Sequence, residues 1–204
     1  MKATNRRQFA ALGKLDHPSG PAHQGKGFFT VGVVVDKIGV LTSKSGKNYT
    51  VLKLSDLVKH DVAKVKSMLG MTFSKDLEGY KTALRAFNSD GYKAVTLMAF
   101  GESALAAKKI PSGTVVAVLT PRLLQSNPNP GEQRKNEGGL TFCVDSPDAL
   151  ISIGFSSDFN ICTEVSVNSS SGKQTKCNRF VNTSIQRICD EHKARLQANR
   201  LTKF

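Results

Sequence analysis

Three cysteines and one histidine near the end of the chain constrain its folding more than any other feature. Cys162, Cys177, Cys189 and His192 lie within 31 residues. Cys189 and His192 are three positions apart, about one helical turn, so their side chains can face one point. A Ser-, Gly- and Lys-rich stretch typical of a hairpin tip separates Cys162 from Cys177. Four N and S ligands that leave no open position predict one structural, tetrahedral Zn²⁺ site.

A metal site of this kind would supply folding free energy that so short a segment cannot gain by burial alone. The alternative is that the three cysteines are small buried apolar residues and that His192 lies on a helix surface. The fourth cysteine, Cys143, falls inside the strand-like run Thr141–Val144 and is expected in the core. The sequence shows neither an export signal nor an apolar run of about 18 residues, so we expect a reducing compartment and no membrane span.

The chain is strongly basic. Its 29 Lys and Arg residues against 16 Asp and Glu residues give a net charge of +13. From Gly172 to Phe204 there are eight basic residues, and Asp190 and Glu191 are the acidic ones. A surface with this surplus attracts a polyanion, because contacts with phosphates release counterions. The charge therefore predicts a nucleic-acid partner, and the alternative is a solvated basic surface with no specific partner.

Strand patterns dominate the rest of the chain. Residues 28–41 and 48–54 are rich in β-branched and aromatic residues and flank a turn at Ser43–Lys47, which predicts a long β-hairpin. Further strands are predicted at 92–100, 114–119, 140–144 and 149–154, with a helix at 102–109, and the last two strands are expected to pair with each other. Six strands with a helix between the third and fourth follow the order of a five-stranded Greek-key barrel of the OB type.

The sequence divides into three segments. Residues 1–27 are predicted as a flexible basic N-terminal arm, with loose packing on the barrel as the alternative, and residues 28–155 as the OB-type barrel. An insertion at 58–90 has apolar residues at helical spacing, which predicts two short helices. Residues 156–204 are predicted as a zinc-finger module with a basic C-terminal helix. The predicted class is mainly β, with a helical insertion and a small Cys₃His module after the barrel.

Four segments, in their order along the chain, carry a resemblance to a known family. They are a hairpin that ends in Asp-Leu, a Phe-Gly step from a strand into a helix, a strand followed by an Asn-Pro loop, and the approach to the first cysteine: Val33–Lys37 with Gly46–Leu57, Leu97–Ala104, Gly113–Leu119 with Asn127–Asn129, and Ile153–Gly154 with Asp158–Cys162. Their order resembles the conserved internal domain of the minichromosome maintenance ten replication factor. The resemblance covers residues 28–192, and the insertion at 58–90 departs from the family's pattern.

The resemblance implies a non-enzymatic, nuclear DNA-replication factor that binds single-stranded DNA and, more weakly, double-stranded DNA. It implies one structural Zn²⁺ held by the three cysteines and His192. It also implies the replicative helicase, DNA polymerase alpha-primase and the sliding clamp as partners, with the surface around Phe100 shared between DNA and proteins. A sliding-clamp peptide is not evident at Gln197–Phe204, because Arg200 stands where an apolar residue is expected.

Candidate nucleic-acid contacts follow from the face that OB folds use, which is formed by the second and third strands and their flanking loops. On the predicted barrel they are Lys44, Lys47, Tyr49, Lys53, Lys93, Lys108, Lys109 and Arg122. Around the cysteines they are Lys173, Lys176, Arg179, Phe180, Arg187, Lys193 and Arg195. An aromatic side chain that stacks on a base contributes about 1–3 kcal/mol. Tyr49 fits a core position equally well.

Three other functions are alternatives, of which the sequence favours two over the third. An RNA-binding factor of ribosomes or RNA processing is one, since OB folds and zinc modules occur there too. A protein-interaction module that docks through residues 58–90 is another. A zinc hydrolase or deaminase is disfavoured, because four protein ligands leave no position for water and the sequence has no H-x-E motif followed by paired cysteines. We therefore expect no catalytic activity.

Overall fold

A computed structural model describes residues 8–15, 27–43, 45–72, 84, 87–88, 90–124, 140–167 and 174–201. Within these ranges the protein is mainly β, as predicted. The strands are β1 (Gln8–Phe9), β2 (Phe28–Thr42), β3 (Asn48–Ser55), β4 (Val95–Phe100), β5 (Thr114–Leu119), β6 (Arg122–Leu123), β7 (Thr141–Val144), β8 (Leu150–Phe155), β9 (Phe159–Ile161), β10 (Val165–Val167), β11 (Gln174–Lys176) and β12 (Phe180–Asn182). The helices are α1 (Val62–Thr72), α2 (Glu102–Lys109) and α3 (Asp190–Leu201).

One large sheet organises the chain up to residue 155. Its strands hydrogen-bond in the order β6-β7-β4-β3-β2-β5-β8, and β1 pairs in parallel with β2. The β4–β7 pair is parallel, whereas the other neighbours along this path are antiparallel. The described pairings leave the path open between β6 and β8. The small sheets β10–β11 and β12–β9 belong to the segment that carries the cysteines.

Several elements lie where the sequence predicted them. The hairpin of β2 and β3 is confirmed, with pairing from Val33↔Ser55 to Thr42↔Asn48. Helix α2 and strand β5 are confirmed at the predicted positions. The last two predicted strands exist as β7 and β8, but the prediction that they pair with each other is wrong, because β7 pairs with β4 and β6 while β8 pairs with β5.

Every second side chain along strands such as β4 points into the core. In β4, Val95, Leu97 and Ala99 are buried while the residues between them are partly exposed, because successive side chains of a strand point to opposite faces. Residues from β2, β3, β5 and β7 join the same apolar cluster, and Ala107 of α2 packs into it. Each fully buried Leu or Val side chain contributes about 1.5–3 kcal/mol relative to an exposed one.

The sheet is strongly curved. The rings of Phe28 in β2 and Phe142 in β7 are 6.0 Å apart between centroids. Three strand pairings separate β2 from β7 along the sheet path. In a flat sheet with strands about 4.8 Å apart, that separation would be about 14 Å. The sheet therefore bends around its core, so that β2 and β7 face each other across it.

The N-terminal segment differs from the predicted flexible arm. Among its described residues, Leu12 and Leu15 are 3% and 0% exposed, and both belong to the core cluster. Strand β1 aligns with the start of β2. At Gly32 an added Cβ would lie 2.4 Å from Leu12 Cδ1, so this glycine makes room for the leucine. The prediction is wrong for residues 8–15, because two apolar side chains find a site on the sheet that local composition does not reveal.

The insertion contains the described helix α1. Asp61 caps it by accepting hydrogen bonds from the N–H groups of Ala63 and Lys64 at 2.8 and 3.2 Å. This confirms one of the two helices predicted for residues 58–90, and the second falls mainly outside the described residues. No helix in the described parts of the chain combines the length and apolar character needed to cross a bilayer.

Candidate metal centre and nucleic-acid interface

Short elements bring the three cysteines and the histidine to one place. Strand β9 leads directly into Cys162, whose N–H donates to the carbonyl of Arg179 at 2.8 Å. The N–H of Cys177 donates to the carbonyl of Glu164 at 3.0 Å, so hairpin β10–β11 holds this cysteine near the first one. Cys189 immediately precedes α3, and His192 lies in its first turn. The predicted proximity of these four residues is confirmed.

The ligand atoms have the spacing of a tetrahedral site. The three Sγ atoms and the histidine nitrogen all lie within 4.8 Å of one another. Cys162 Sγ is 3.5 Å from His192 Nδ1, and Cys177 Sγ is 4.0 Å from Cys189 Sγ. With Zn–S bonds of about 2.3 Å and a Zn–N bond of about 2.1 Å, tetrahedral geometry places sulfurs about 3.8 Å apart and a sulfur and nitrogen about 3.6 Å apart. The arrangement is compatible with one zinc site.

The surroundings of the four side chains are compatible with a metal site. Cys162 and Cys189 are buried beside Val181, His192 is also buried, and all four cysteines of the chain are free thiols. Burial above all raises the pKa of the Cys189 thiol to about 11. A thiolate in such a place requires a nearby positive charge, and a closed set of three sulfurs and one nitrogen is a donor set of structural zinc. Cys143 lies in β7 and is buried, as predicted.

The segment around these ligands, residues 156–167 and 174–201, is called the Cys/His module below. Polar contacts fix it to the segment between β3 and β4. Lys59 Nζ, just after β3, donates to Asp190 Oδ1 at 2.7 Å. The N–H of Asp190 donates to Asp90 Oδ1 at 3.2 Å, and Asn182 Nδ2 donates to the carbonyl of Leu57 at 3.1 Å. The first turn of α3, which carries His192, is therefore hydrogen-bonded to the segment between β3 and β4.

Two predicted nucleic-acid contacts belong to this junction. Phe180 is half-buried against Tyr92, with ring centroids 5.4 Å apart, and packs onto the cluster of β2 residues that also holds Phe159. Arg179 forms ion pairs with Glu191 and with Asp90, whose side chain is 1% exposed. The sequence missed Asp90 as a partner, since nothing local relates it to Arg179. Both predicted contacts hold the module on the sheet.

Lys93 differs most from its predicted role. It is 3% exposed, and its Nζ donates to the carbonyl of Gly13 at 3.0 Å. The ammonium also lies 5.8 Å from the centroid of the Phe87 ring. Because the charge is used inside the protein, the prediction that Lys93 contacts DNA is wrong. Two other predicted contacts, Lys44 and Lys173, lie outside the described residues.

An aromatic and apolar surface covers the outer side of β3 and β4. Tyr49 and Phe100 are paired directly across the two strands, with ring centroids 5.6 Å apart and planes tilted by 35°. On β2, Leu41 pairs with Tyr49 and is 39% exposed, and Ile38 is 44% exposed. We call this surface the aromatic face, and its members are Ile38, Leu41, Tyr49, Val51, Met98 and Phe100. The sequence predicted its two aromatics but missed the two β2 residues, which extend the strand beyond the core.

The remaining predicted cations are on the surface. Lys53 forms an ion pair with Asp36 at 3.6 Å, Arg122 pairs with Asp145, and Arg195 Nη2 donates to the carbonyl of Val165 at 3.1 Å. The other cations are exposed and form no ion pair with any residue that the structure describes: Lys47, Lys108, Lys109, Lys176, Arg187 and Lys193. These six charges are available to an anionic partner.

Comparison with known proteins finds a distant similarity but no family model. No family model matches the chain. The chain is similar to the protein MCM10 homolog of Danio rerio, with 24% identity over 163 residues. The match covers 80% of this chain and 14% of that protein, so the chain spans about a seventh of the relative's length. This distant similarity supports the relationship with the family that the four sequence segments indicated.

Proposed function

We propose that this chain is a non-catalytic, DNA-binding part of a replication factor, and that single-stranded DNA lies across the aromatic face. The Tyr49–Phe100 ring pair on the outer side of the sheet carries this proposal. Lys47 stands at the end of the same hairpin, and Lys53 lies further along β3 on the same face. The similarity to the MCM10 homolog and the net charge of +13 support the same function.

The curved sheet is proposed to be the OB-type barrel. The Phe28–Phe142 contact across the core and the parallel pairing of β4 with β7 support this closure. In OB folds, the second and third strands form the nucleic-acid face. If β2 is the first barrel strand, β3 and β4 are the second and third. The aromatic face then coincides with the position at which OB folds bind nucleic acid.

The chemistry of this face suits an unpaired strand. Bases have two π-faces, and stacking one of them on an aromatic ring contributes about 1–3 kcal/mol with little sequence preference. Each phosphate contact made by a lysine also lowers the slope of log affinity against log salt concentration by about 0.7 for a single strand. Paired bases are not available for stacking, so double-stranded DNA is expected to bind more weakly.

The Cys/His module is proposed to hold one structural Zn²⁺ through Cys162, Cys177, Cys189 and His192. Its exposed Lys176, Arg187 and Lys193, together with Arg195, would extend the positive surface beyond the sheet. The ion would act by fixing these side chains in place. The replicative helicase, DNA polymerase alpha-primase and the sliding clamp are proposed as partners in the nucleus.

Fluorescence anisotropy with a labelled single strand of about 16 nucleotides, the upper end of the footprint of one OB fold, tests the proposal. Tyr49→Ala and Phe100→Ala are each expected to weaken binding by about 5- to 150-fold, which corresponds to about 1–3 kcal/mol. Phe9→Ala is the matched control, because Phe9 is also an exposed strand aromatic paired with another ring, Phe29, at 5.4 Å. Equal losses for Phe9→Ala and Tyr49→Ala would contradict the assignment of the face.

Charge reversal and competition separate the remaining alternatives. Lys47→Glu with Lys53→Glu is expected to weaken binding and flatten its salt dependence, whereas Lys64→Glu with Lys66→Glu on α1 is expected to do so much less. An affinity that does not change with salt would refute binding through phosphates. Tighter binding of RNA of the same sequence would favour the RNA-processing function over replication.

A further inference from the structure

Strand β8 forms an edge of the main sheet. It pairs with β5, and no other described strand pairs with it. Apart from a hydrogen bond from the N–H of Leu150 to the carbonyl of Pro147 at the start of the strand, no backbone group outside β5 hydrogen-bonds to residues 150–155 in the described part of the chain. One row of its N–H and C=O groups therefore faces away from the sheet. Natural edge strands are usually protected by lysine, proline or a charged side chain that points inward. The sequence of β8, Leu-Ile-Ser-Ile-Gly-Phe, contains none of these, and the one protective feature of the strand is the β-bulge at Ile153.

Large apolar side chains are exposed along the same strand. Ile151, Ile153 and Phe155 are 47%, 61% and 73% exposed. A bulge at Ile153 breaks the alternation, so Ile151 pairs with Ala117 on the partly exposed face of β5, whereas Phe155 pairs with the buried Thr114. Ile153 and Phe155 both line one cavity. Single apolar residues on a surface need no explanation, but neighbouring exposed apolar side chains mark a site of interaction. Strand β8 thus has unpaired backbone groups and exposed apolar side chains at the same edge, as do surfaces that accept an added strand.

A cavity beside this strand is lined by a positively charged side chain, Lys109. About 520 Å³ in volume, it lies between β8 and the end of α2 and is lined by Ala106, Lys109, Pro111 and Ser152, among others. Lys109 and its neighbour Lys108 are exposed and form no ion pair with a described residue. No acidic side chain lines the cavity. The charge complementary to this site is negative.

We propose that β8 is a docking edge for an extended, acidic peptide segment of a partner protein. The segment adds to the sheet as a further strand, its apolar residues at alternate positions pack beside Ile153 and Phe155, and an acidic residue pairs with Lys109. A second copy of this chain suits the site less well, because two molecules with a net charge of +13 repel each other. The docking edge is separate from the aromatic face and does not depend on how that face functions.

A synthetic eight-residue peptide of alternating Val and Asp, titrated against the full chain, is a direct probe. Binding is expected to weaken roughly tenfold or more on Ile153→Lys, which blocks the edge, and on Lys109→Glu, which reverses the charge. Ile185→Lys is the matched control, because Ile185 is 54% exposed but lies in the Cys/His module, and it is expected to change binding less than about twofold. A peptide with a central proline, which removes a backbone donor, is expected not to bind.

Three results would overturn the proposal. They are no binding of the Val-Asp peptide by the unmodified chain, equal binding of the proline peptide, and equal losses for Ile153→Lys and Ile185→Lys. A dimer of the chain alone that Ile153→Lys dissociates, measured by sedimentation, would assign the edge to a second copy instead. Single-stranded DNA binding by Ile153→Lys is expected to match that of the unmodified chain, so failure of this proposal is distinguishable from failure of the proposed function.

Discussion

Replacing Gly113 by alanine tests how the Cys/His module is attached to the sheet. Gly113 lies between α2 and β5 with a φ of +89°, and its N–H donates to the carbonyl of Val34 at 2.7 Å. A Cβ at this position would lie 2.9 Å from Cδ1 of Phe159. Phe159 belongs to the apolar cluster that joins the module to β2. Alanine therefore strains the backbone and also pushes against the ring at the junction.

The cost of the backbone strain and the cost of the contact with Phe159 can be worked out separately. A left-handed conformation costs a residue with a Cβ about 1–2 kcal/mol, and overpacking costs about 1–3 kcal/mol. Gly113→Ala is therefore expected to lower the free energy of unfolding by about 2–5 kcal/mol. Gly46 has a φ of +77° but nothing within 4 Å of an added Cβ, so Gly46→Ala isolates the backbone part, about 1–2 kcal/mol. Gly39→Ala, with neither feature, is expected to be nearly neutral.

Urea unfolding followed by circular dichroism measures these differences. The double variant Gly113→Ala with Phe159→Ala is the decisive comparison, because removing the ring should leave the strain of the backbone alone. In the Phe159→Ala background, Gly113→Ala is expected to cost about 1–2 kcal/mol. If Gly113→Ala were no more destabilising than Gly46→Ala, or cost the same with and without Phe159, the reasoning about this contact would be refuted.

Three further predictions concern the metal centre and α2. Cys189→Ser is expected to abolish stoichiometric zinc in elemental analysis while Cys143→Ser retains it, and equal zinc contents would contradict the ligand assignment. Because burial raises the pKa of the Cys189 thiol to about 11, metal binding must release its proton, so zinc affinity measured with a competing chelator is expected to rise with pH, and a flat profile would count against a thiolate ligand. Lys37 Nζ donates to the carbonyls of Lys108 and Ile110 at 2.7 and 2.9 Å, so Lys37→Met is expected to lower the free energy of unfolding by about 1–2 kcal/mol. Lys66→Met, a change on the exposed side of α1, is the control for thermal unfolding and is expected to change stability by less than about 0.5 kcal/mol.

The parts of the fold that depend on local sequence were predictable. The β2–β3 hairpin, α2 and β5 follow from alternation, helical spacing and turn residues within each segment. The convergence of Cys189 and His192 follows from a spacing of one helical turn. The partners of β7 and β8 were not predictable in this way, because an alternating apolar pattern is the same whichever strand lies alongside it.

The roles of charged and aromatic residues were harder to predict. Sequence showed that Lys93, Arg179 and Phe180 have the chemistry of nucleic-acid contacts. It did not show that Lys93 would lie beside the distant Gly13 or that Arg179 would lie beside Asp90. Nor did it show that Tyr92 would pack against the ring of Phe180. A side chain is available to a ligand only when the protein itself has not used it, and that depends on long-range packing.

The buried N-terminal segment, residues 8–15, has a practical consequence for anyone who produces a shorter version of this protein. A fragment that begins at residue 28, where the strand pattern becomes obvious, would lack Leu12 and Leu15. Losing the burial of two leucines costs about 3–6 kcal/mol, which is comparable to the whole stability of many small domains. Such a fragment would expose the apolar surface that Leu12 and Leu15 cover and be prone to precipitate. A fragment that starts upstream of Gln8 keeps this surface buried.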